Sequence, residues 1–85
     1  MSSFEEMQTF VRIVEAGSIS QAAEQLGIAK SGASRRLAEL ENRLGVRLII
    51  RTTRRSSLTE AGETYYRGAV RLLGDVAELD AAVAD

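Results

Sequence analysis

The sequence predicts one mainly α domain with three short helices, a short β-hairpin and a long final helix. Gly17, Gly27 and Gly45 each follow a segment whose apolar residues recur every three or four positions, and helices often end at such a glycine. After the third glycine the stretch RLIIRTTRRSSLT is rich in Ile and Thr, as hairpin strands are. With 85 residues and only two Tyr and two Phe, the chain can form one small domain with an aliphatic core.

The first two helices are each predicted to begin at a capping-box pattern. Ser3 with Glu6 has this spacing and opens a helix over about residues 4–16. Ser18 with Gln21 repeats the spacing and opens a shorter helix that ends at the second glycine. The apolar face of the first helix comprises Phe4, Met7, Phe10, Val11 and Val14.

The third helix is predicted from about Lys30 to Leu44, with two distinct faces. Its buried stripe, at steps of four, three and four residues, is Ala33, Leu37, Leu40 and Leu44. At about 100° per residue, Ser31 and Arg35 point to the opposite side, with Ser34 beside them. This outward face is therefore free to bind a partner.

The long last helix is predicted to begin after the cap residue Thr59. Six apolar residues along it follow heptad spacing: Tyr65, Ala69, Leu72, Val76, Leu79 and Val83. Because so small a domain cannot easily cover both this stripe and its own core, we expect a homodimer through this helix. The alternative is that the stripe packs only against its own domain.

The formal net charge of −1 hides a basic middle segment. Residues 30–55 hold eight basic residues against two acidic ones, whereas the segments before and after them are acidic. Such a local field attracts a polyanion such as nucleic acid, whatever the total charge. The alternative is that these charges form only a solvated face.

The composition argues against an enzyme, a metal site and a membrane protein. Without His or Cys the chain lacks the usual parts of catalytic triads and zinc sites, so no cofactor or metal is expected. Its carboxylates are expected on helix exteriors. No apolar run approaches the roughly 18 residues of a membrane span, and the start MSSFEEMQ is unlike a secretory signal. A cytoplasmic protein is therefore expected.

The stretch GIAKSGASRRL, residues 27–37, has two interpretations. It resembles the phosphate-binding loop G-x-x-x-x-G-K-[ST], but Ala33 stands where the lysine is needed, and no strand precedes it. A short helix, a glycine turn and a second helix instead predict a helix-turn-helix unit, which places its second helix in the DNA major groove. Gly32, in the first turn of that helix, would allow its backbone to approach DNA closely.

The polar side chains of the third helix suit contacts to DNA. Arg35 can donate two hydrogen bonds to a guanine edge. Lys30, Ser31 and Ser34 suit base edges or phosphates, and Arg36 suits a phosphate. The hairpin arginines could contact the DNA backbone or enter the minor groove.

These motifs resemble those of the N-terminal domain of LysR-type transcriptional regulators over nearly the whole chain. The resemblance is carried by AGSISQAA, S-R-R-L-x-x-L-E-x-x-L-G, the R-T-T-R stretch and L-T-x-A-G. It implies a winged helix-turn-helix with a three-helix core, a short β-hairpin wing and a long C-terminal linker helix. Residues 1–58 would be the DNA-binding domain and residues 59–85 the linker and dimerisation helix. The family also implies a bacterial, nucleoid-associated dimer that binds inverted-repeat promoter sites in double-stranded DNA.

The resemblance implies roles for individual residues. Ser18 and Ser20 match positions that commonly touch the DNA backbone. The family's base-reading positions fall on Lys30, Ser31, Ser34 and Arg35. Its wing contacts fall on Arg51, Thr52, Thr53, Arg54 and Arg55.

The chain departs from the family pattern at three positions and in length. Ala29 stands where the family usually has Ser, Ser31 where it usually has Pro, and Ile49 where Phe is common. The smaller Ile49 side chain is expected to loosen the packing under the wing. Family members also carry a C-terminal domain that binds a small-molecule effector. Since this chain does not contain it, we expect DNA binding without an inducer response. The remaining alternatives are a winged-helix regulator of another family and a protein-interaction module that binds through its heptad helix.

Overall fold

The computed structural model of the chain describes residues 3–51 and 56–84. Its elements are α1 (Ser3–Ala16), α2 (Ile19–Leu26), α3 (Lys30–Leu44), β1 (Ile49–Arg51), β2 (Ser56–Leu58) and α4 (Glu60–Val83). β1 and β2 form a two-stranded antiparallel hairpin in which Ile49 pairs with Leu58. The predicted fold class, three helices with a hairpin wing and a long last helix, is confirmed.

The ends of α2 and α3 and the start of α4 follow the punctuation predicted from the sequence, whereas α1 begins at Ser3 itself, so Ser3 lies inside the helix and not at its predicted cap position. Ser18 Oγ accepts a hydrogen bond from Gln21 N at 3.1 Å at the start of α2, as its capping pattern predicts. α2 and α3 end at Gly27 and Gly45, both with φ of 71°. In this left-handed conformation a side chain would be strained, so the chain turns sharply where glycine permits it.

The core lies where α1 crosses α2 and α3 and is closed by β1 and the first half of α4. Its largest fully buried side chains include Phe10, Ile13, Leu40 and Leu48. Ala22, Ala23 and Ala33 are buried as well, and such small side chains allow α2 and α3 to pack closely.

Two residues predicted to be buried are exposed. Phe4 lies at the start of α1 and Leu44 at the end of α3, and both side chains are accessible to solvent. Both fit the apolar period, but each stands at a helix end, where the neighbouring elements cover it only in part. Periodicity gives the direction of a side chain and not the extent of the neighbouring helix.

Glu41 joins the end of α3 to the start of the wing. Its main-chain carbonyl accepts hydrogen bonds from the N–H groups of Gly45 (2.8 Å) and Val46 (3.2 Å). Its carboxylate oxygen Oε2 accepts from the N–H groups of Leu48 (2.8 Å) and Ile49 (3.1 Å). A single residue thus ends the helix and holds the first backbone donors of β1.

Glu6 joins α1 to α3. Its Oε1 accepts hydrogen bonds from Arg43 Nη2 at 2.8 Å and Nε at 3.2 Å, and the residue is only 6% exposed. The Glu6 carboxylate, chiefly through this hydrogen bonding, raises the pKa of Arg43 above its ordinary value. The expectation that the carboxylates lie on helix exteriors is therefore wrong for Glu6, and for the half-buried Glu41.

The beginning of α4 is attached to the beginning of β1. Thr59 N donates to Leu48 O at 3.0 Å, and Thr59 Oγ1 donates to Arg47 O at 2.7 Å. The same hydroxyl oxygen accepts from Gly62 N at 2.9 Å and so caps α4, as predicted. Within residues 3–51 and 56–84, no helix combines the length and apolar character needed to cross a membrane.

Candidate nucleic-acid interface

α2, the turn at residues 27–29 and α3 form a compact helix-turn-helix. Gly27 N donates to Glu24 O at 3.2 Å and Ile28 N donates to Ala23 O at 3.0 Å, which closes the turn with backbone hydrogen bonds. Ile28 packs against the core. The turn therefore fixes where α3 begins relative to α2, independently of any exposed side chain.

The outward face of α3 brings together the four residues predicted to read bases. Lys30, Ser31 and Arg35 are exposed and Ser34 is half-buried. Among the described residues, neither cation has a carboxylate within 4.0 Å. Their charges and donors are thus free for a ligand rather than used within the fold.

The N-terminus of α3 has no side-chain cap. Ala29 occupies the cap position with φ −69° and ψ 149°, and its carbonyl accepts from Gly32 N at 3.0 Å and Ala33 N at 3.1 Å. Because alanine has no side-chain acceptor, residue 29 does not compete with a ligand for the first backbone N–H groups of α3. Free N–H groups at a helix N-terminus favour an anion.

The three residues predicted to contact the DNA backbone differ in their surroundings. Ser18 is the cap of α2, and Ser20 is exposed on the first turn of that helix. Arg36 is half-buried, and its Nη1 donates to Thr9 Oγ1 at 3.3 Å. Thr9 is fully buried and donates in turn to Glu5 O at 2.8 Å. Because a guanidinium has five N–H donors, this contact orients Arg36 without saturating it.

Only the base of the wing lies within the described residues. Ile49 faces the core and Ile50 faces solvent, so the hairpin separates an inner from an outer surface. Arg51 is the last residue of β1 and pairs with Ser56. The other predicted wing residues, Thr52, Thr53, Arg54 and Arg55, lie outside the described residues. A cavity of about 40 Å³ beneath the hairpin is lined by Ile13, Val14, Gly17, Ile49, Ser57 and Leu58.

The six heptad residues of α4 fall into two groups. Ala69 is buried in the core of its own domain, and the Tyr65 ring meets Phe10 edge-on, with centroids 5.3 Å apart and planes at 79°. The other four, in the second half of the helix, are exposed: Leu72, Val76, Leu79 and Val83. The stripe thus continues past the point where the home domain stops covering it.

Tyr66 joins α4 to α1 through a side-chain hydrogen bond. Its hydroxyl donates to Glu15 Oε2 at 3.1 Å, a contact between residues 51 positions apart. Burial, with this hydrogen bond second, raises the pKa of Tyr66 above its ordinary value. The direction in which α4 leaves the domain is therefore set by packing at Ala69 and by this polar contact.

Comparison with known proteins agrees with this geometry. Residues 4–63 match the family model described as bacterial regulatory helix-turn-helix protein, lysR family. The chain belongs to this family. It is 53% identical over 73 residues to the HTH-type transcriptional regulator CrgA of Neisseria meningitidis, covering 86% of this chain and 24% of that one. It is 45% identical over 83 residues to an HTH-type transcriptional repressor of Pseudomonas aeruginosa, covering 98% and 26%. The chain thus spans about a quarter of the length of these relatives.

Solved structures of LysR-family proteins have the same fold. The DNA-binding domain of BenM in complex with catB site 1 DNA gives a TM-score of 0.91 at 32% identity, covering 95% of this chain and 90% of that one. Full-length CbnR in complex with its target DNA gives 0.86 at 30% identity, covering 95% and 28%.

Sequence reasoning missed the polar contacts that support the LysR-family fold in this chain. Glu41 and Thr9 were not singled out, and Glu6 was named only for its capping spacing with Ser3, yet these residues hold the wing, Arg36 and Arg43. One signal was available for Glu41. A carboxylate near a helix C-terminus interacts unfavourably with the helix dipole. Its presence there indicates that another group in the fold stabilises its charge.

Metal binding has no support among residues 3–51 and 56–84. No three acidic side chains there come close enough together to hold an ion.

Proposed function

We propose that this chain is a sequence-specific, dimeric DNA-binding domain of a bacterial transcriptional regulator. It reads an inverted-repeat promoter site in double-stranded DNA by placing α3 in the major groove. The observation that carries the proposal is the exposed group of Lys30, Ser31 and Arg35, whose cations have no carboxylate within 4.0 Å among the described residues, presented by a helix whose other face is buried. The likeness to the BenM domain in complex with DNA supports this orientation.

The proposed contacts divide into those that read bases and those that hold the backbone. Arg35 donates two hydrogen bonds to a guanine edge, and Lys30, Ser31 and Ser34 contact neighbouring base edges. The DNA backbone is contacted by Ser18, Ser20 and Arg36 and, at the wing, by residues 51–55, whose arginines can also enter the minor groove. The Thr9 hydrogen bond pre-orders Arg36 for a phosphate.

Affinity and sequence choice then have separate physical origins. The basic segment neutralises phosphates and releases counterions, so binding weakens steeply as salt rises. Base contacts by α3 add the preference for one sequence. The bacterial cytoplasm, in association with the nucleoid, is the compartment this role requires. Response to a small-molecule effector would belong to a domain beyond these 85 residues.

The dimer is proposed to form through α4, with the two helices antiparallel. The support is the exposed apolar row of Leu72, Val76, Leu79 and Val83, which a single copy leaves uncovered. Antiparallel pairing relates the two α3 helices by a two-fold axis, which matches an inverted repeat. It also fixes the distance between the two half-sites.

Replacement of Arg35 by alanine tests base reading. A preferred site is first selected from a random DNA pool, and the affinities for that site and for random duplex are measured across a salt series. We expect Arg35→Ala to weaken binding to the selected site by about 1–3 kcal/mol, with a smaller loss on random DNA. Arg67→Ala, an exposed arginine on α4, is the control and should change neither affinity.

Equal losses on both DNAs would contradict a base-reading role for Arg35. No binding to any duplex at low salt would contradict DNA binding itself and favour a protein partner for α4.

A matched pair of valines tests dimerisation through α4. Val76 and Val70 are 39% and 40% exposed, and the helical period places them about 120° apart around the helix, so that Val70 lies outside the apolar row. We expect Val76→Gln to weaken the dimer by about 1–2 kcal/mol, because both copies lose part of a buried valine. Val70→Gln should leave the dimer unchanged in sedimentation equilibrium. Equal effects of the two substitutions would contradict this interface.

A further inference from the structure

A concave surface lies between the second half of α3 and the segment that leads into the wing. This α3–wing concavity has a volume of about 470 Å³, and the residues that line it are Ala38, Glu41, Asn42, Gly45, Val46 and Arg47. Two of these residues have roles within the fold, since Glu41 holds β1 and Gly45 ends α3. Asn42 and Arg47 are exposed, and neither belongs to the proposed base-reading or backbone-contacting groups.

The concavity opens on the side of α3 that carries Arg35. Asn42 follows Arg35 by two helical turns, so it points within about 20° of the same direction and lies about 10 Å farther along the helix. Ala38 and Asn42 both line the concavity. A helix that presents Arg35 to base edges therefore turns the concavity toward the same duplex.

The position of the concavity matches the path of a DNA strand. In duplex DNA, one sugar-phosphate backbone separates each major groove from the minor groove beside it. In the proposed complex α3 occupies the major groove, and the wing contacts the backbone or enters the minor groove. The backbone between these two grooves then passes between α3 and the wing, which is where the concavity lies.

Arg47 supplies cationic donors at this position. Its Nε lies 3.6 Å from Glu41 Oε1, yet its side chain is 68% exposed. A guanidinium has five N–H donors, so this ion pair orients Arg47 and leaves both Nη groups available. The main-chain N–H of Arg47 and the side-chain amide of Asn42 have no acceptor among residues 3–51 and 56–84. The concavity thus offers several unused donors to an anion.

The one acidic residue of the concavity is already stabilised by the fold. Glu41 Oε2 accepts from the N–H groups of Leu48 and Ile49, and Oε1 faces Arg47. The Glu41 side chain is only 13% exposed, whereas that of Arg47 lies outside it. An anion that approaches from solvent therefore meets the guanidinium before the carboxylate.

We propose that the α3–wing concavity binds one backbone phosphate of DNA, through the guanidinium and main-chain N–H of Arg47 and the amide of Asn42. The inference rests on the proposed DNA-binding function and adds a backbone contact between the base-reading residues and the wing. A phosphate contact carries no sequence information of its own. It adds affinity for every duplex and holds α3 in one register on the bases.

A salt series tests the loss of one phosphate contact. Arg47→Ala should weaken binding roughly five- to tenfold at low salt and lower the slope of log affinity against log salt by about 0.9. Both changes should be the same on the selected site and on random duplex. Arg47→Lys keeps the charge and should retain the slope. The control is Arg67→Ala, which removes the same charge from an exposed position on α4 and should leave the slope unchanged.

Neutral backbone substitutions locate the phosphate. Each phosphate of the selected site is replaced in turn by an uncharged methylphosphonate, and the affinities of the unsubstituted chain, Arg47→Ala and Asn42→Ala are measured. One replacement per half-site, on the strand between the base pairs read by α3 and the adjacent minor groove, should weaken the unsubstituted chain. The same replacement should leave Arg47→Ala unaffected and should affect Asn42→Ala less than the unsubstituted chain.

The outcomes separate this contact from DNA binding itself. If Arg35→Ala loses the preference for the selected site but Arg47→Ala keeps the salt slope and the sensitivity at every phosphate, α3 reads DNA and the concavity does not hold the backbone. A larger loss for Arg47→Ala on the selected site than on random duplex would also overturn the phosphate contact. If the unsubstituted chain binds no duplex at low salt, both proposals fail.

Discussion

Replacement of Gly62 by alanine tests how α4 is attached to the wing. Gly62 is buried in the first turn of α4, directly against the main chain at Leu48. A methyl group there would overlap the Leu48 carbonyl oxygen and come within 3.0 Å of its carbon. That oxygen is held in place by Thr59 N at 3.0 Å, so either β1 or α4 must move.

The magnitude follows from two opposing effects. Overpacking usually costs about 1–3 kcal/mol, and a collision with backbone lies toward the upper end of that range. Alanine in place of glycine returns up to about 1 kcal/mol of helix stability. We therefore expect Gly62→Ala to destabilise the fold by about 1–2 kcal/mol, and to lower the melting temperature by about 5–15 °C.

Gly74 provides a control on the same helix. An added Cβ there meets no atom within 4 Å, so the alanine keeps the gain in helix stability without a collision. Gly74→Ala should raise the free energy of unfolding by up to about 1 kcal/mol. Thermal and urea unfolding, followed by circular dichroism at one protein concentration, measures both variants. Equal stabilisation by the two substitutions would refute the close contact between Gly62 and Leu48.

Three further predictions concern α3, the wing and the α1–α4 contact. An added Cβ at Gly32 would meet no atom within 4 Å, so Gly32→Ala should stabilise α3 by about 1 kcal/mol. The same substitution should weaken DNA binding. Unchanged affinity would argue against close approach of this backbone to DNA. Glu41→Ala should lower the free energy of unfolding, measured in urea, by about 2–4 kcal/mol, because two backbone donors lose a charged acceptor. Glu41→Gln, which keeps a neutral acceptor, should lose only about half as much. Since the folded-state pKa of Tyr66 is raised, its contribution is present below about pH 10 and lost as pH rises through that pKa. Tyr66→Phe should make stability between about pH 9 and 11 less dependent on pH, and an unchanged profile would contradict this.

The sequence was sufficient where local chemistry decides the structure. Left-handed turns need glycine, so Gly27 and Gly45 marked the helix ends correctly. Ser18 and Thr59 marked two helix starts because a hydroxyl is one of the few groups that can accept from the first backbone donors. The outward direction of Arg35 followed from the helical period alone.

Sequence pattern was insufficient where a contact joins segments far apart in the chain. A carboxylate on a helix has the same letter whether it faces solvent or a distant donor, so the contacts of Glu6 and Glu41 could not be assigned. Heptad spacing likewise joined Ala69 and Val76 in one stripe. The structure divides them, because Ala69 is buried in the core of the domain, whereas Val76 stays partly exposed beside the start of α1.

Local residue types therefore determined the order of elements, the helix-turn-helix and the charged face of α3. Tertiary structure decided which apolar and acidic side chains are used within the domain and which remain for a partner. The physical reason is that caps, turns and periodicity depend on backbone geometry within a few residues. Burial depends on where neighbouring helices begin and end, which no local pattern encodes.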